Sequence, residues 1–272
     1  MDLNKNIEDF DLVFFDLETT GLEVSKGDAI CEIGALKLHN RKIVDKFESL
    51  INPKKPIPEE AYRIHKISDA DVKGAPHFAQ IADRLVTFFK DSIILAYNIE
   101  FDLSFLNYEF SKISAVLPEL PAIDILCMAR KTLRLEKYNL GALSFFFNIE
   151  HSGKLHRALN DSFVASQVFF KLCDILKEGK LQNLEDFVSL YGINNGIFKL
   201  KEAPKVSLVK EAIVNQLYLK TRYFSHHNTM EEDEIKPITL SQENNNFFLW
   251  CQNKQGLSWR MNLNRVLDIE IV

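Results

Sequence analysis

The sequence has few cysteines, no long apolar run and no excess of positive charge. Its 272 residues include 4 cysteines, and no two of them stand at the spacing of a zinc finger or a redox motif. We interpret them as reduced core thiols. No stretch approaches the roughly 18 apolar residues that a membrane-spanning helix needs, and no secretory signal is recognisable. We therefore expect a cytoplasmic protein with no membrane segment.

The charge balance also excludes one class of protein. With 33 lysines and arginines against 38 aspartates and glutamates, the net charge is −5. This argues against a sequence-independent DNA coat, which needs an excess of basic residues to neutralise phosphates. A metal-dependent nuclease stays open, because its centre concentrates carboxylates that bound cations then neutralise. The composition, 46% apolar and 26% charged, is that of a globular protein and excludes disorder and collagen.

The first two thirds of the chain predict an α/β fold. Short aromatic and β-branched runs predict strands at residues 11–18, 30–38, 42–51 and 92–97. Apolar residues at helical spacing predict helices at residues 79–89, 102–110, 125–133, 140–146 and 161–176, the last of them capped by Asn160. A meander followed by alternating strands and helices favours a mixed sheet with helices on its faces.

A second domain is expected after this sheet. The stretch at residues 181–205 is interpreted as a linker, because a short helical stretch at residues 184–191 is followed there by glycine, asparagine and proline residues. Residues 206–272 then predict one helix at 208–217, followed by short strands at 217–224, 235–240, 246–252, 256–262 and 266–272. This order is typical of a small β-barrel.

Two carboxylates lie two residues apart in the first predicted strand. Asp16 and Glu18 therefore project from the same face, where their like charges repel each other. If the strand is buried, a shared cation would relieve both the repulsion and the desolvation. A solvated face of an edge strand explains the pair equally well.

Further candidates lie where helices begin. Asp102 follows a strand that ends in a polar break, and active sites of open α/β sheets gather at such strand ends. His156 stands just before a helix with Asp161 in its first turn. Alternatively, both aspartates only stabilise helix dipoles, and His156 is a surface residue.

Together these residues resemble a family. Asp-Leu-Glu-Thr-Thr-Gly at 16–21, Asn98 with Phe101-Asp102, and His156 followed by Asp161 resemble the three motifs of DEDD-type 3′→5′ exonucleases. The similarity spans about residues 8–178 and is greatest to the epsilon proofreading subunit of bacterial DNA polymerase III and its relatives. The position of the histidine resembles the DEDDh branch. The resemblance implies a ribonuclease H-like domain over residues 8–180.

The resemblance also implies a mechanism. Asp16, Glu18, Asp102 and Asp161 would hold two Mg²⁺ or Mn²⁺ ions, for which carboxylate oxygens are suitable ligands. His156 would act as the general base. The products would be nucleoside 5′-monophosphates, and His156→Ala should lower turnover far more than substrate binding.

Other positions are expected near the substrate. The resemblance implies that the terminal nucleotide is approached by Thr19, Gly21 and Leu22 and that its pocket is lined by Asn98 and Phe101. Phe101 could equally belong to the core. His65 could either contact substrate or serve as a structural polar residue. Tyr97 departs from the family, because many relatives carry histidine before the asparagine.

The end of the chain resembles a second family. Residues 246–251, 258–266 and 267–272 are similar to the end of a WYL domain, a small Sm/SH3-like β-barrel that binds ligands or nucleic acid. Arg222, Arg260 and Arg265 are then candidates for contact with a phosphate or a single strand. A folded spacer with surface arginines is the alternative.

Two kinds of function are therefore weighed. The first is a metal-dependent 3′→5′ exonuclease acting on DNA 3′ ends in proofreading or repair, with single-stranded DNA favoured and an RNA-directed exoribonuclease as the alternative. The second is a ligand-sensing or recruiting protein that acts through the WYL-like domain. The intact set of carboxylates and histidine favours the enzyme, and the sequence leaves association with a DNA polymerase open.

Overall fold

The chain folds into two compact units, which are described separately. The structure, a computed structural model, describes residues 1–150, 156–178, 181–193, 196–225, 230–243 and 246–272. The first unit comprises residues 5–174, and the second comprises residues 1–4 with 175–272. The boundary predicted at residue 180 lies outside the described residues. Among the described helices, none has an apolar stretch long enough to cross a membrane.

The first unit is built on a mixed sheet. Its strands are β1 (Leu12–Thr19), β2 (Ile30–His39), β3 (Lys42–Leu50), β4 (Ile93–Ala96) and β5 (Ala122–Asp124), in the spatial order β3-β2-β1-β4-β5. The first three strands form the predicted antiparallel meander, and β4 and β5 add in parallel. β1 is therefore central, which explains why almost all of its side chains are buried.

Helices cover the two faces of this sheet. They are α1 (Glu59–His65), α2 (Asp69–Val72), α3 (Phe78–Phe89), α4 (Ile99–Lys112), α5 (Ile125–Thr132), α6 (Leu140–Phe146) and α7 (Ala158–Glu178). Successive side chains of β1 point to opposite faces. Phe14 packs against Phe169 of α7, whereas Phe15 packs against Phe89 of α3. The predicted α/β arrangement is therefore confirmed.

The start of α7 differs from the prediction. The helix begins at Ala158, so Asn160 lies inside its first turn and the prediction that Asn160 caps it was wrong. The physical reason is a hydrogen-bond acceptor that lies far away in the sequence. The Ala158 N–H donates to a carboxylate oxygen of Glu32 on β2 at 2.9 Å, so a neighbouring strand satisfies the helix end.

The second unit combines two helices with an antiparallel sheet. Its elements are α8 (Leu184–Tyr191), α9 (Gly196–Asn215), β6 (Leu219–Phe224), β7 (Met230–Glu243), β8 (Asn246–Asn253), β9 (Ser258–Asn262) and β10 (Val266–Ile271). Much of the predicted linker, residues 181–205, is occupied by α8 and the first half of α9, and residues 194–195 lie outside the described part. The sheet order is β10-β6-β7-β8-β9.

The prediction of a small Sm/SH3-like β-barrel was wrong. Within the described residues, β9 and β10 are the two edges of an open sheet, and they are not paired with each other. Helix α9 supplies the physical reason, because Val209 and Ala212 pack with inward side chains of the strands in one core. A helix that covers the apolar face removes the need for the sheet to close on itself.

Candidate active site

Carboxylates from distant parts of the chain meet beside the central strand of the first unit. Asp16 and Glu18 lie on one face of β1, and Asp161 reaches them from the first turn of α7. One carboxylate oxygen from each of the three lies within 4.8 Å of the others. Among the described residues, this group has the composition and spacing of a cation site.

Asp102 is hydrogen-bonded to the same strand. It lies in the first turn of α4 and is almost completely buried. Its Oδ1 accepts the N–H of Leu17, the residue between Asp16 and Glu18, at 3.1 Å. The turn before α4 is formed by Asn98 in the left-handed conformation, which asparagine tolerates better than most residues. The second predicted motif is therefore brought to the first one.

His156 and Asp161 form a local pair at the start of α7. The His156 N–H donates to both carboxylate oxygens of Asp161, at 3.2 and 3.0 Å. The backbone of His156 is left-handed, with φ of 69°, and its side chain is exposed. The backbone thus orients the Asp161 carboxylate, while the imidazole stays accessible to solvent.

Burial and repulsion between neighbouring acids raise the pKa values of these carboxylates. Burial raises the pKa of Glu18 to about 8, with added repulsion from Asp161 and Glu32. The pKa of Asp16 is raised by burial and then by Asp102 and Glu18. Burial raises the pKa of Asp102 as well, although the Leu17 N–H opposes it. A bound divalent cation would stabilise the charged carboxylates and so lower their pKa values.

The residues after β1 form a tight turn. The Thr19 hydroxyl donates to the Gly21 carbonyl at 2.6 Å. A Cβ at Gly21 would lie 2.2 Å from Oδ2 of Asp28, so glycine leaves room for this carboxylate, which accepts the Glu23 N–H at 3.1 Å. Leu22, at the tip, is 79% exposed. The first unit therefore presents an apolar side chain to solvent next to the carboxylates.

His65 lies beneath this turn. It is only 2% exposed, its Nδ1 accepts the Ile67 N–H at 3.0 Å, and its ring donates to the Thr19 carbonyl. Burial lowers the pKa of His65, which favours the neutral ring. Of the two roles weighed for it, the geometry supports the structural polar residue.

The remaining predicted residues of the first unit lie around α4. Asn98 is exposed, whereas Phe101 is half-buried with its ring 5.0 Å from that of Phe105. Tyr97, the departure from the family, donates its phenol to the Tyr138 carbonyl. The tyrosine therefore ties the end of β4 to the segment before α6.

The three arginines of the second unit have partners inside it. Arg222 pairs with the buried Asp186 at 3.3 Å. The Arg260 guanidinium lies 3.9 Å from the centre of the Phe248 ring. Arg265 donates to the Ser225 carbonyl. Each side chain thus contributes to the internal structure of the unit.

Two residues near the carboxylates are absent from the predicted site. Glu32 is buried on β2 directly opposite Glu18, and Arg157 holds its carboxylate in a two-pronged ion pair. The signal in the sequence was a single carboxylate inside the apolar run Ile30 to Leu38. Its partner stands 125 residues away, so spacing alone could not connect them.

The first unit contains the residues that a family model matches. A family model, RNase_T, described as Exonuclease, matches residues 13–169. The chain is 41% identical over 166 residues to the DNA polymerase III subunit epsilon of Rickettsia felis, covering 59% of this chain and 72% of that relative. It is 33% identical over 181 residues to the PolC-type DNA polymerase III of Caldanaerobacter subterraneus, covering 66% of this chain and 13% of that relative.

Solved structures share the fold at lower identity. The nuclease domain of 3′hExo, a DEDDh family member bound to rAMP, has a TM-score of 0.54 at 16% identity, covering 60% of this chain and 92% of that chain. The zinc-bound E. coli ExoI–ssDNA complex has a TM-score of 0.59 at 18% identity, covering 90% of this chain and 54% of that chain. These likenesses concern the fold alone.

Proposed function

Because the chain belongs to the DEDDh exonuclease family of metal-dependent nucleases, we propose that it is a 3′→5′ exonuclease acting on DNA ends. It would remove nucleoside 5′-monophosphates by hydrolysis, in proofreading or repair. The observation that carries this proposal is the meeting of the Asp16, Glu18 and Asp161 carboxylate oxygens within 4.8 Å, with Asp102 bonded to the same strand.

The donor set fits a pair of Mg²⁺ or Mn²⁺ ions. Carboxylate oxygens are the hard ligands that these ions prefer. Burial and the neighbouring acids raise the pKa values of Asp16 and Glu18, although Arg157 lowers that of Glu18. Asp16, Glu18, Asp102 and Asp161 would hold the ions. When bound, two divalent cations activate a water and stabilise the leaving oxygen of a phosphodiester.

His156 would accept the proton of the attacking water. Its imidazole is exposed, and its backbone is fixed to Asp161, so the ring stands next to one of the proposed ligands without being one. General-base catalysis contributes about 10²- to 10⁴-fold. We expect His156→Ala to lower kcat by about that factor and to leave KM for the oligonucleotide nearly unchanged.

The exposed turn after β1 would meet the terminal nucleotide. Leu22 offers an apolar surface for a base, with Thr19 and Gly21 beside it, while Asn98 and Phe101 would line the sugar side. DNA is favoured because the relatives with substantial identity are DNA polymerase III subunits. A polymerase partner is proposed on the same ground. RNA is the alternative substrate.

Residues 206–272 provide a second candidate function. They would bind a ligand or a nucleic acid, with residues 8–180 chiefly as a scaffold. The supporting observation is the half-buried pair of Arg260 and Phe248 on neighbouring strands, since arginine and aromatic faces together suit a single-stranded base. In this reading, the protein binds single-stranded nucleic acid or another ligand and degrades neither DNA nor RNA.

A single assay on the full chain tests the proposal. Single-stranded DNA and RNA of one sequence, labelled at the 5′ end, are incubated with Mg²⁺, with Mn²⁺ or with a chelator. We expect a ladder of labelled DNA that shortens from the 3′ end, with deoxynucleoside 5′-monophosphates as products and no reaction in chelator. Release of the label in the first product would contradict the direction, and degradation of RNA alone would favour the exoribonuclease.

Asp16→Asn and Asp45→Asn form a matched pair of variants. Both replace a strand aspartate by its amide, but Asp45 is exposed on β3. Asp16→Asn should lower the rate by about 10³-fold, the upper range for loss of one group that stabilises transition-state charge. Asp45→Asn should stay within about twofold of the wild type. A wild-type protein that degrades neither polymer would favour the second candidate.

A further inference from the structure

A buried carboxylate stands beside the proposed catalytic centre without belonging to it. Glu32, only 1% exposed, pairs with Glu18 in the register of β1 and β2. Its Oε1 accepts from Nε of Arg157 at 3.1 Å and from the adjacent guanidinium nitrogen at 2.5 Å. Its Oε2 accepts the Ala158 N–H at 2.9 Å. Both carboxylate oxygens of Glu32 therefore accept hydrogen bonds from the chain segment at the start of α7.

The first turn of α7 is fastened to β2 at a further point. A Cβ at Gly34 would lie 2.1 Å from the backbone nitrogen of Leu159, so the helix backbone rests directly on the strand. The Ser162 hydroxyl donates to the Gly34 carbonyl at 2.9 Å. Strand β2 therefore fixes both the position and the rotation of the turn that contains Asp161.

The fastened segment includes both of the proposed catalytic groups from this region. His156 immediately precedes Arg157, and the Asp161 N–H donates to the Arg157 carbonyl at 2.9 Å. His156 is also held in a left-handed backbone conformation, which needs support from its surroundings. The Glu32–Arg157 ion pair joins this segment to β2, the strand that lies next to Glu18.

We infer that Glu32 is a positioning residue, which acts through Arg157 and the Ala158 amide to hold His156 and Asp161 opposite the carboxylates of β1. This inference rests on the proposed function. Glu32 touches neither substrate nor reacting atoms, and its occupation by Arg157 also keeps it from joining the neighbouring acids as a competing ligand. Weakening the contacts of Glu32 should therefore lower kcat and cation affinity while leaving substrate binding nearly unchanged.

The other end of α7 offers a matched control. Arg41, in the turn between β2 and β3, makes a two-pronged pair with Asp174 and another with Glu8. This arrangement also joins α7 to the meander by an arginine, but far along the helix from His156. Arg41→Gln thus removes a comparable anchor from the same helix without touching the proposed centre.

Glu32→Gln keeps the size of the side chain and removes the charge that binds Arg157. We expect kcat to fall by about 10- to 100-fold, as for other groups that orient ligands, with KM for a single-stranded oligonucleotide within about twofold of the wild type. Mn²⁺ affinity, measured by calorimetry without substrate, should fall several-fold, at least about threefold. Arg41→Gln should change neither kcat nor Mn²⁺ affinity by more than about twofold.

Coupling to His156 separates positioning from general destabilisation. If Glu32 acts through this segment, Glu32→Gln should lower kcat by less than about threefold in a His156→Ala background. Arg157→Lys, which keeps the positive charge but cannot make the two-pronged contact, serves if Glu32→Gln does not fold. It should reproduce the same fall in kcat at unchanged KM.

Wild-type kcat and Mn²⁺ affinity in Glu32→Gln, or equal losses in Arg41→Gln, would overturn the inference while leaving the proposed function intact. Fully independent effects of Glu32→Gln and His156→Ala would overturn it too. Failure of the proposed function has a different signature, because the wild-type protein would then degrade no nucleic acid at all. The Mn²⁺ measurement needs no turnover and still tests the positioning role.

Discussion

Both units bury carboxylates, but they supply the compensating positive charge differently. In the first unit, Asp102 and Glu18 raise the pKa of Asp16, Glu18 raises that of Asp102, and the nearby Arg157 is paired with Glu32. In the second unit, the fully buried Asp186 has Arg222 at 3.3 Å, which opposes the rise in pKa that burial causes.

This difference separates a functional site from a structural one. A single buried acid with its own arginine needs nothing from outside the chain, and such pairs are common in folded proteins. A cluster of buried acids whose neighbouring arginine is already paired with another carboxylate is stabilised in its charged form by an external cation. The two regions should therefore respond differently to divalent cations, to pH and to isosteric amides.

The largest expected effect is on catalysis. Asp102→Asn keeps an oxygen that can accept the Leu17 N–H but removes the negative charge. We expect kcat to fall by roughly 10³-fold while the melting temperature is unchanged or higher. Asp45→Asn, on the exposed face of β3, should stay within about twofold. A fall in kcat smaller than about tenfold would remove Asp102 from the cation site.

The next effect concerns stability without metal. Since the folded-state pKa of Glu18 is raised from 4.5 to about 8, its contribution to stability is complete below pH 4.5 and is lost as pH rises through 8. The loss by pH 9 is on the order of 4 kcal/mol. Urea unfolding in chelator at pH 5 and pH 9 should show a loss of stability that is smaller by about this amount in Glu18→Gln than in the wild type.

Divalent cations should reverse this loss only in the wild type. At pH 9, saturating Mg²⁺ or Mn²⁺ binds the charged carboxylates of the folded state and raises the unfolding free energy. Glu18→Gln has one ligand fewer and should gain less. If neither cation changes the unfolding free energy of the wild type at pH 9, the acid cluster is not a cation site.

Asp186 provides the contrasting case. Its pKa is raised from 3.8 to about 6, so stability falls as pH rises from about 4 to 6, by at most about 3 kcal/mol. Asp186→Asn should abolish this pH dependence, because Arg222 is partly exposed and can be solvated. Glu270→Gln, an exposed acid on β10, should retain it. Unlike the contribution of Glu18, the contribution of Asp186, measured as the difference in unfolding free energy between the wild type and Asp186→Asn, should be the same with chelator and with Mg²⁺.

The sequence predicted those parts of the site that depend on local spacing. Asp16 and Glu18 had to share a face of a strand, and Asp102 and Asp161 had to lie in first turns of helices. The apolar run around them predicted a buried strand, and the alternation of strands and helices predicted the layers. Each of these inferences uses residues that are close in sequence.

What the sequence did not predict depends on partners far along the chain. α7 begins at Ala158 because Glu32 on another strand accepts its N–H, so no local cap marks the start. The second sheet stays open because α9 covers it, and strand pairing of that kind leaves no periodic trace. The strand predicted at residues 235–240 is longer in the structure, because β7 continues over Met230–Glu243 with a bulge next to Pro237.

The smallest effect tests whether His65 belongs to the structural or to the functional kind of buried polar group. His65→Leu leaves the Thr19 carbonyl and the Ile67 N–H without their partner and should lower stability by about 2 kcal/mol. His65→Gln keeps a donor and should lose about half as much. If His65 supports the turn and does not contact substrate, oligonucleotide KM in His65→Gln stays within about twofold of the wild type. A tenfold or greater rise in KM at nearly wild-type stability would instead assign His65 to substrate binding.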